Sequence, residues 1–175
     1  AASRNAASWF CATASVRWQY EKGGSAVNDR VEITVNDHVA EVMLNRPDKF
    51  NALDIDMFLA LDRAARTVAE DSSVRAVVMH GAGGNFCAGI DISALQGGGE
   101  QVARTLLAPV DNSPANLAQR AAYAWRELEV PVICALQGVT FGGGLQIAMG
   151  ADLRYAAANT RLSVMESKWG LIPDM

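Results

Sequence analysis

Two stretches of similar character decide the fold: Phe86-Cys87-Ala88-Gly89-Ile90-Asp91 and Phe141-Gly142-Gly143-Gly144-Leu145-Gln146. Each follows a short, nearly all-apolar run, at 74–79 and 131–136, of the kind that forms a buried strand. Small residues in the first stretch let a backbone N–H approach a ligand closely. Glycines at the start of a helix leave N–H groups unpaired at the positive end of the helix dipole, which suits a developing negative charge. Each stretch alone is equally compatible with a tight turn or with close packing of a helix end on a sheet.

The rest of the chain alternates strands with helices. Periodicity predicts a hairpin of residues 31–36 and 39–44, and Asp54 is a plausible N-cap for a helix ending near 70. The other predicted elements are a helix from a Ser113-Pro114 cap to about Leu128, a helix over 142–149, and strands at 74–79, 131–136, 153–156 and 162–164. Residues 97–112 are expected to form a mobile loop with at most one helical turn. This alternation predicts an α/β fold.

The composition is that of one globular domain with a real core. The chain has 175 residues, of which 50% are hydrophobic and 19% charged, with a formal net charge of −4. No apolar stretch is long enough for a membrane helix, and no Lys/Arg block predicts a nucleic-acid surface. The three cysteines and two histidines lack the spacing of a disulfide framework or a metal site. We therefore expect no metal, and we expect His38 and His80 to be structural or solvent-facing.

The ends of the chain are expected to be those of a fragment. The chain does not begin with Met, and Met175 follows Pro173-Asp174 in what looks like the middle of a loop. Residues 1–20 contain arginines but no acidic residue, which is compatible with a transit peptide, a disordered extension or a cloning artefact. We divide the chain into an extension at 1–30 and a core domain at 31–175 whose C-terminal part is missing.

Two further segments carry charged side chains with potential chemistry. Residues 44–53 form a polar turn after a strand, where Arg46 and Lys49 could hold phosphates, although a plain strand-to-helix loop explains the pattern without any ligand. In residues 165–174, Glu166 and Asp174 flank an apolar stretch. A carboxylate in an apolar pocket becomes a usable base near neutral pH, whereas a surface glutamate is the commoner case.

In their order, residue types and separations, the four segments together resemble the crotonase (enoyl-CoA hydratase/isomerase) family, nearest to its dienoyl-CoA isomerase-like branch. The resemblance covers residues 31–175 and is carried by Phe-x-Ala-Gly-x-Asp at 86–91, the later glycines and the glutamate twenty residues after position 146. It implies a spiral of ββα units, usually assembled as trimers or dimers of trimers. It also implies an enzyme of fatty acid β-oxidation that stabilises an acyl-CoA thioester enolate. From the composition of residues 1–20 we expect a mitochondrial or cytoplasmic location. No separate cofactor is implied, because coenzyme A is part of the substrate.

The resemblance assigns roles to individual residues. The N–H groups of Ala88 and Gly143 would form the oxyanion hole that holds the thioester oxygen. The residues that would contact substrate are Gly89, Ile90, Asp91 and Gly142, with Arg46 and Lys49 as candidate contacts of the CoA phosphates. The catalytic positions would be those of Glu166, Asp174 and Gln146.

Gln146 is where the chain departs from the family's hydratases, which carry a glutamate there as well as at the position of Glu166. A glutamine cannot exchange a proton at neutral pH, although it could orient a water or the substrate. One carboxylate suffices for a 3-enoyl to 2-enoyl shift, and two are useful for a 3,5-dienoyl to 2,4-dienoyl shift. Dienoyl isomerases of this family have an acidic residue where this chain has Asp174, and an Asp where it has Gln146. We therefore expect an isomerase rather than a hydratase.

Other classes of protein stay open as alternatives. A non-catalytic relative that binds CoA thioesters is the main one, because Gln146 removes one of the two carboxylates of a hydratase. A serine peptidase of similar spiral architecture is disfavoured, because neither histidine lies near a Gly-x-Ser-x-Gly pattern. Cys87 is an unpromising nucleophile, since no neighbouring base is visible in the sequence.

Overall fold

A five-stranded sheet forms the centre of the computed structural model, which describes residues 30–93 and 99–175. Its strands are β1 Val31–Asn36, β2 Val39–Leu44, β3 Ala76–Gly81, β4 Val132–Leu136 and β6 Leu153–Ala156, in the order β1-β2-β3-β4-β6. Strands β1 and β2 are antiparallel, and each later pair is parallel. Two shorter strands, β5 Val139–Phe141 and β7 Arg161–Ser163, pair in parallel as a second sheet.

The helices pack beside the sheet in the predicted alternation. They are α1 Ile55–Glu70, α2 Gly99–Leu106, α3 Leu117–Arg126 and α4 Gly143–Gly150, and short 3₁₀ turns occupy Pro47–Lys49, Ala82–Gly84 and Met165–Trp169. Two strands precede a helix in the units β1-β2-α1 and β4-β5-α4. This succession confirms the α/β class and agrees with the ββα units implied by the resemblance.

Helix α1 begins where the sequence predicts. The Asp54 side chain accepts a hydrogen bond from the Met57 N–H at 2.9 Å, which satisfies one of the free donors of the first turn. One face of the helix is buried, and its largest core side chains are Met57, Phe58 and Leu61. The predicted hairpin is also present, with Val31 opposite Leu44 and Asn36 opposite Val39.

Several local predictions were wrong. Residues 99–106 form the helix α2, which buries Val102 and Leu106, rather than a loop with at most one helical turn. Helix α3 is capped by Asn116 and not by Ser113, because Asn116 and Gln119 exchange side chain-to-backbone hydrogen bonds in a reciprocal capping box.

Other boundaries moved by smaller amounts. Helix α3 ends at Arg126, strand β3 covers 76–81 instead of 74–79, and strand β5 was not predicted. The predicted extension at 1–30 lies outside the described residues except for Arg30, as does the first part of the predicted loop at 97–112. Within the two described ranges, no helix has the length and apolar character needed to cross a membrane.

A buried arginine joins two helices through the core. The Arg120 side chain on α3 is 8% exposed and forms ion pairs with Asp62 on α1 and with Glu127, the latter at 3.0 Å. Its Nη1 also donates to the Ser113 Oγ at 3.0 Å, which occupies the hydroxyl that was expected to cap the helix. Burial alone would lower the pKa of Arg120, but the two carboxylates outweigh it and raise that pKa, so the guanidinium stays charged.

We predict that Asp62→Ala lowers the free energy of unfolding by about 3 kcal/mol, because it leaves a buried guanidinium with one charged partner fewer. Arg66→Ala is the matched control. It removes the other ion-pair partner of the Asp62 carboxylate. Because the Arg66 side chain is 47% exposed, its loss should change stability by about 0.5 kcal/mol or less. Chemical denaturation measures both, and equal effects of the two substitutions would contradict a structural role for the buried pair.

Candidate active site

The site is built where the turn after β3 meets the start of α4. The isolated bridge between Cys87 and Thr140 joins the two segments, with the Cys87 N–H donating to Val139 O at 3.1 Å and the Phe141 N–H donating to Cys87 O at 2.9 Å. A Cβ atom at Gly144 would lie 2.5 Å from Cys87 O, which is closer than real Cβ atoms come. The glycine at 144 therefore allows the helix to start against this backbone.

Gly89 and Gly142 also allow close approach of the backbones where the turn after β3 meets the start of α4. Gly89 has a φ of +87°, and a Cβ there would lie 2.8 Å from Phe141 O and 3.4 Å from the Gly143 N. Gly142 has a φ of +50°, and a Cβ there would lie 3.1 Å from the Glu166 Oε1. The two stretches that the sequence singled out are thus in direct contact, and the Gly142 backbone lies against the Glu166 carboxylate.

The prediction that Ala88 supplies an oxyanion-hole donor does not fit this geometry. The Ala88 N–H donates to Phe50 O at 3.0 Å, so it is already used within the fold. Ile90 lies opposite Leu53, but the hydrogen bonds of this bridge are made by the residues on either side of Ile90. The Leu53 N–H donates to Gly89 O, and the Asp91 N–H donates to Leu53 O. Among the described residues, the Ile90 N–H has no acceptor.

Gly143 keeps its predicted character as a free donor. The Gly142 N–H is taken by Ser163 O at 2.9 Å, and Gly142 O accepts from the Leu145 and Gln146 N–H groups. The first N–H of α4, at Gly143, has no acceptor in the described part of the chain. Free N–H groups at Ile90 and Gly143 therefore flank the contact between Gly89 and Gly143.

Asn51 organises the loops behind these donors, and the sequence reasoning missed it. The residue is fully buried with a φ of +57°. Its Oδ1 accepts from the Arg46 N–H at 2.8 Å, and its Nδ2 donates to carbonyl oxygens of the 82–86 turn, namely those of Ala82, Asn85 and Phe86 at 3.0, 2.8 and 3.2 Å. The only signal in the sequence was an asparagine within the polar turn at 44–53, because its burial is visible in the structure alone.

Arg46 and Asp91 form an ion pair inside the fold, which argues against the predicted phosphate contact of Arg46, whereas the predicted substrate contact of Asp91 stays a prediction. The Arg46 side chain is 11% exposed, and its Nη1 lies 2.7 Å from the Asp91 Oδ2 and 3.0 Å from Ala52 O. Its Nε lies 3.5 Å from the Asp54 Oδ2. Because these partners occupy the guanidinium inside the fold, Arg46 is not free to hold a phosphate. Lys49 is exposed, so its predicted phosphate contact stays a prediction.

The Asp91 carboxylate is held in its charged form. Ser93 donates to its Oδ1 from the hydroxyl at 2.5 Å and from the N–H at 3.0 Å. The Ser93 hydroxyl is the largest influence; although burial opposes it, this bond together with Arg46 lowers the pKa of Asp91 to about 2. Asp91 therefore ties the backbone at 89–91 to Ser93 and Arg46 inside the fold.

Glu166 and Gln146 meet directly, as two residues of the predicted constellation. The Gln146 Nε2 donates to the Glu166 Oε1 at 2.7 Å, and the Gln146 Oε1 accepts from the Met175 N–H at 2.7 Å. The other oxygen of Glu166, Oε2, is buried and has no hydrogen-bond partner among the described residues. Both ends of the Gln146 amide are thus engaged, which leaves it poorly placed to orient a water.

Two neighbouring clefts share Gln146, and the Glu166 carboxylate lines the smaller of them. The smaller, of about 250 Å³, is lined by Gly142, Leu145, Gln146, Met149, Val164, Glu166, Pro173 and Met175. The larger, of about 570 Å³, shares Gln146, Met149 and Met175 with it and includes Asp174. Asp174 is exposed, and its backbone oxygen accepts a hydrogen bond from the Gln119 Nε2 at 3.0 Å. The fold thus brings Glu166 and Gln146 together and leaves Asp174 in the larger cleft.

The remaining titratable candidates are structural. Burial raises the pKa of the Cys87 thiol to about 12, and its Sγ donates to Asn51 O at 3.1 Å, so Cys87 is protonated near neutral pH. His38 lies in the hairpin turn with Nδ1 2.8 Å from Ser73 O, and His80 lies on β3 with Nε2 2.8 Å from the Glu41 Oε1. Across residues 30–93 and 99–175, no group of three or more His, Cys, Asp or Glu side chains could hold a metal ion.

We predict that Asn51→Ala lowers the free energy of unfolding by about 3 kcal/mol, because a buried Arg46 N–H and several carbonyl groups lose their partners. Asn112→Ala is a matched control, since Asn112 has a similar φ of +59° but is exposed and makes no side-chain hydrogen bond to a described residue. That control should lose about 1 kcal/mol, the cost of a left-handed backbone without asparagine. Thermal and urea unfolding compare the two, and losses of equal size would contradict the role given to Asn51.

We predict that Asp91 contributes stability above about pH 4 and loses it as the pH falls towards 2, because its folded pKa lies below the unfolded value of 3.8. Ser93→Ala removes the largest cause of this shift, so the stability that the variant loses between about pH 4 and pH 2 should be smaller than the loss in the wild type. Urea unfolding along a pH series measures the difference. Parallel pH profiles for the two proteins would show that the Ser93 hydroxyl does not act on Asp91.

With the fold and site described, comparison with known proteins identifies the family. Residues 39–175 match the sequence profile described as enoyl-CoA hydratase/isomerase. The chain is 35% identical over 136 residues to the 1,2-epoxyphenylacetyl-CoA isomerase of Escherichia coli. This match covers 78% of this chain and 50% of that protein. It is 36% identical over 146 residues to a probable enoyl-CoA hydratase of Mycobacterium tuberculosis, covering 83% and 54%.

A further relative and two solved structures agree with this result. The peroxisomal Delta(3,5)-Delta(2,4)-dienoyl-CoA isomerase of Arabidopsis thaliana is 28% identical, over 78% of this chain and 51% of that protein. The crystal structure of a putative enoyl-CoA hydratase from Streptomyces coelicolor matches with a TM-score of 0.73 at 31% identity, covering 89% of this chain and 55% of that one. An enoyl-CoA hydratase from Bacillus anthracis matches with a TM-score of 0.73 at 27% identity, covering 82% and 54%.

The chain spans about half the length of the curated relatives it matches. The profile nevertheless covers most of the chain and every residue of the site described above. By sequence and by fold, this chain belongs to the enoyl-CoA hydratase/isomerase family, the crotonase superfamily.

Proposed function

We propose that the protein isomerises the double bond of an enoyl-CoA thioester by way of an enolate. The observation that carries the proposal is the Glu166 carboxylate, whose Oε2 is buried and unpartnered among the described residues beside the glycine-rich start of α4. A carboxylate with a free oxygen in a largely apolar cleft is suited to take up and return a proton. The cleft of about 250 Å³ leaves room above it for a reacting carbon chain.

The N–H groups of Ile90 and Gly143 are the proposed donors to the thioester oxygen. Both lack acceptors in the described chain, and they border the same backbone contact. Gly143 adds the positive end of the α4 dipole, which favours the negative charge of an enolate oxygen. A donor placed in this way contributes on the order of 3 kcal/mol to transition-state stabilisation. In this proposal Ile90 replaces Ala88, whose N–H is used by Phe50 O.

The reaction needs one base and no change in oxidation state. Glu166 takes a proton from C2 of a 3-enoyl thioester, and the electron pair of that C–H bond moves into the enolate held by the two N–H groups. The dienolate then collapses to a 2-enoyl thioester as C4 takes the proton back from Glu166. Coenzyme A is part of the substrate, so the scheme calls for no separate cofactor. The exposed Lys49 remains a candidate contact of a CoA phosphate.

Hydration is the alternative reaction within this family, and Gln146 argues against it. Addition of water by the two-carboxylate route needs a second group that exchanges a proton, and an amide does not. The Gln146 amide is also engaged at both ends, by Met175 and by Glu166. A dienoyl shift would need a more distant acid, and Asp174 in the larger cleft is the candidate for it.

We predict that Glu166→Gln lowers isomerase turnover about 10³-fold, because it removes the base without changing the shape of the side chain. An absorbance time course with a 3-enoyl-CoA and with a 3,5-dienoyl-CoA measures both reactions. Asp174→Asn is the matched control, and it should slow the dienoyl reaction while leaving the 3-enoyl reaction within about threefold. Thioester binding without turnover of either substrate would instead indicate a non-catalytic relative, and faster water addition than isomerisation would indicate a hydratase.

A further inference from the structure

The Gln146 side chain has one orientation that satisfies both of its neighbours. The Met175 N–H is a backbone donor and cannot accept a hydrogen bond, so the atom that faces it at 2.7 Å must be the Gln146 oxygen. The Nε2 then faces Glu166, where it donates to Oε1 at 2.7 Å. The direction of this chain of hydrogen bonds, from Met175 through Gln146 to Glu166, is therefore fixed by the backbone.

The fixed direction distinguishes the two oxygens of Glu166. A proton on Oε1 would turn the charged acceptor of the Gln146 N–H into a weaker, neutral one and place a second donor beside that N–H, so protonation of Oε1 is disfavoured. A proton on Oε2 meets no such conflict, because Oε2 has no partner among the described residues. The backbone of Gly142 lies against the other oxygen, because a Cβ there would be 3.1 Å from the Glu166 Oε1.

We infer that Gln146 is a positioning residue that makes Glu166 exchange its proton through Oε2 alone. This inference rests on the proposed function and deepens it. A carboxylate that could rotate would present either oxygen to the substrate, with part of its population unproductive. The hydrogen bond from Gln146 holds one rotamer, so the same oxygen removes the proton from one carbon and returns it to the other. Gln146 thus cannot act as a second acid, but its amide fixes the orientation of Glu166, the single base.

Nuclear magnetic resonance on the ¹⁵N-labelled 175-residue chain tests the hydrogen-bond chain without any need for activity. The two Gln146 Nε2 protons should be well separated in chemical shift, unlike those of the exposed Gln101, and the separation should collapse in Glu166→Met. The Met175 amide resonance should move in Gln146→Met and stay in place in Gln101→Met. Side-chain amide protons at Gln146 that match those of Gln101, with an unmoved Met175 amide, would overturn the inference.

Kinetics test the positioning role. Because a hydrogen bond to a charged group is lost, Gln146→Met should lower kcat by about 10- to 100-fold, while KM stays within about twofold. Gln101→Met should change neither constant. Gln146→Glu is the conservative variant, because a protonated carboxyl at position 146 can donate to Glu166 as the amide does. The variant should be active while the carboxyls at positions 146 and 166 share one proton. Its activity should be lost as rising pH removes that proton.

The outcomes separate the inference from the proposed function. Unchanged kcat in Gln146→Met, from a wild type that isomerises its substrate, would overturn the positioning role and leave the isomerase assignment in place. A wild type that binds a thioester but turns over no 3-enoyl or dienoyl substrate would overturn the proposed function. The hydrogen-bond chain from Met175 through Gln146 to Glu166 would then be tested by the resonance experiment alone.

Discussion

The close approach of two backbones is the constraint on which the rest of this structure depends. Helix α4 starts in contact with the turn that follows β3, and the distance from the Gly144 Cα leaves no room for a side chain beside Cys87 O. Gly89 meets Phe141 O in the same way from the other side. Only glycines permit this approach, and it brings the first free N–H of a helix next to the free N–H of Ile90.

Polar and charged side chains hold in place the loops on one side of the contact between the turn after β3 and the start of α4, and they are not part of the contact itself. Arg46 pairs with Asp54 and Asp91, and Asn51 ties the loop of residues 46–51 to the turn at 82–86. These groups are largely buried and paired with one another, so they rigidify the loops that carry the donors. The front of the site is correspondingly sparse in ionisable groups, with Glu166 over a mainly apolar cleft. This carboxylate and the two N–H donors are the groups on which the proposed isomerisation depends.

The sequence predicts what depends on local chemistry and misses what depends on partners. The hairpin, the Asp54 cap of α1 and the glycine start of α4 follow from periodicity, capping and backbone freedom, and the structure contains all three. Strand β5 is only three residues long and gives too short a pattern to detect. Which N–H group is free at 86–91 depends on whether Phe50 or Leu53 lies alongside, and that is a tertiary fact. The same holds for Arg120, whose burial is stabilised by Asp62 from another helix.

The most direct test of the account is the amide spectrum of the ¹⁵N-labelled chain on addition of a saturated acyl-CoA, whose thioester oxygen can accept hydrogen bonds without reacting. The account predicts that the Ile90 and Gly143 N–H resonances shift downfield on binding, because both become donors to that oxygen, while the Ala88 resonance keeps its hydrogen bond to Phe50 O and stays in place. A shift at Ala88 with none at Ile90 and Gly143 would contradict it.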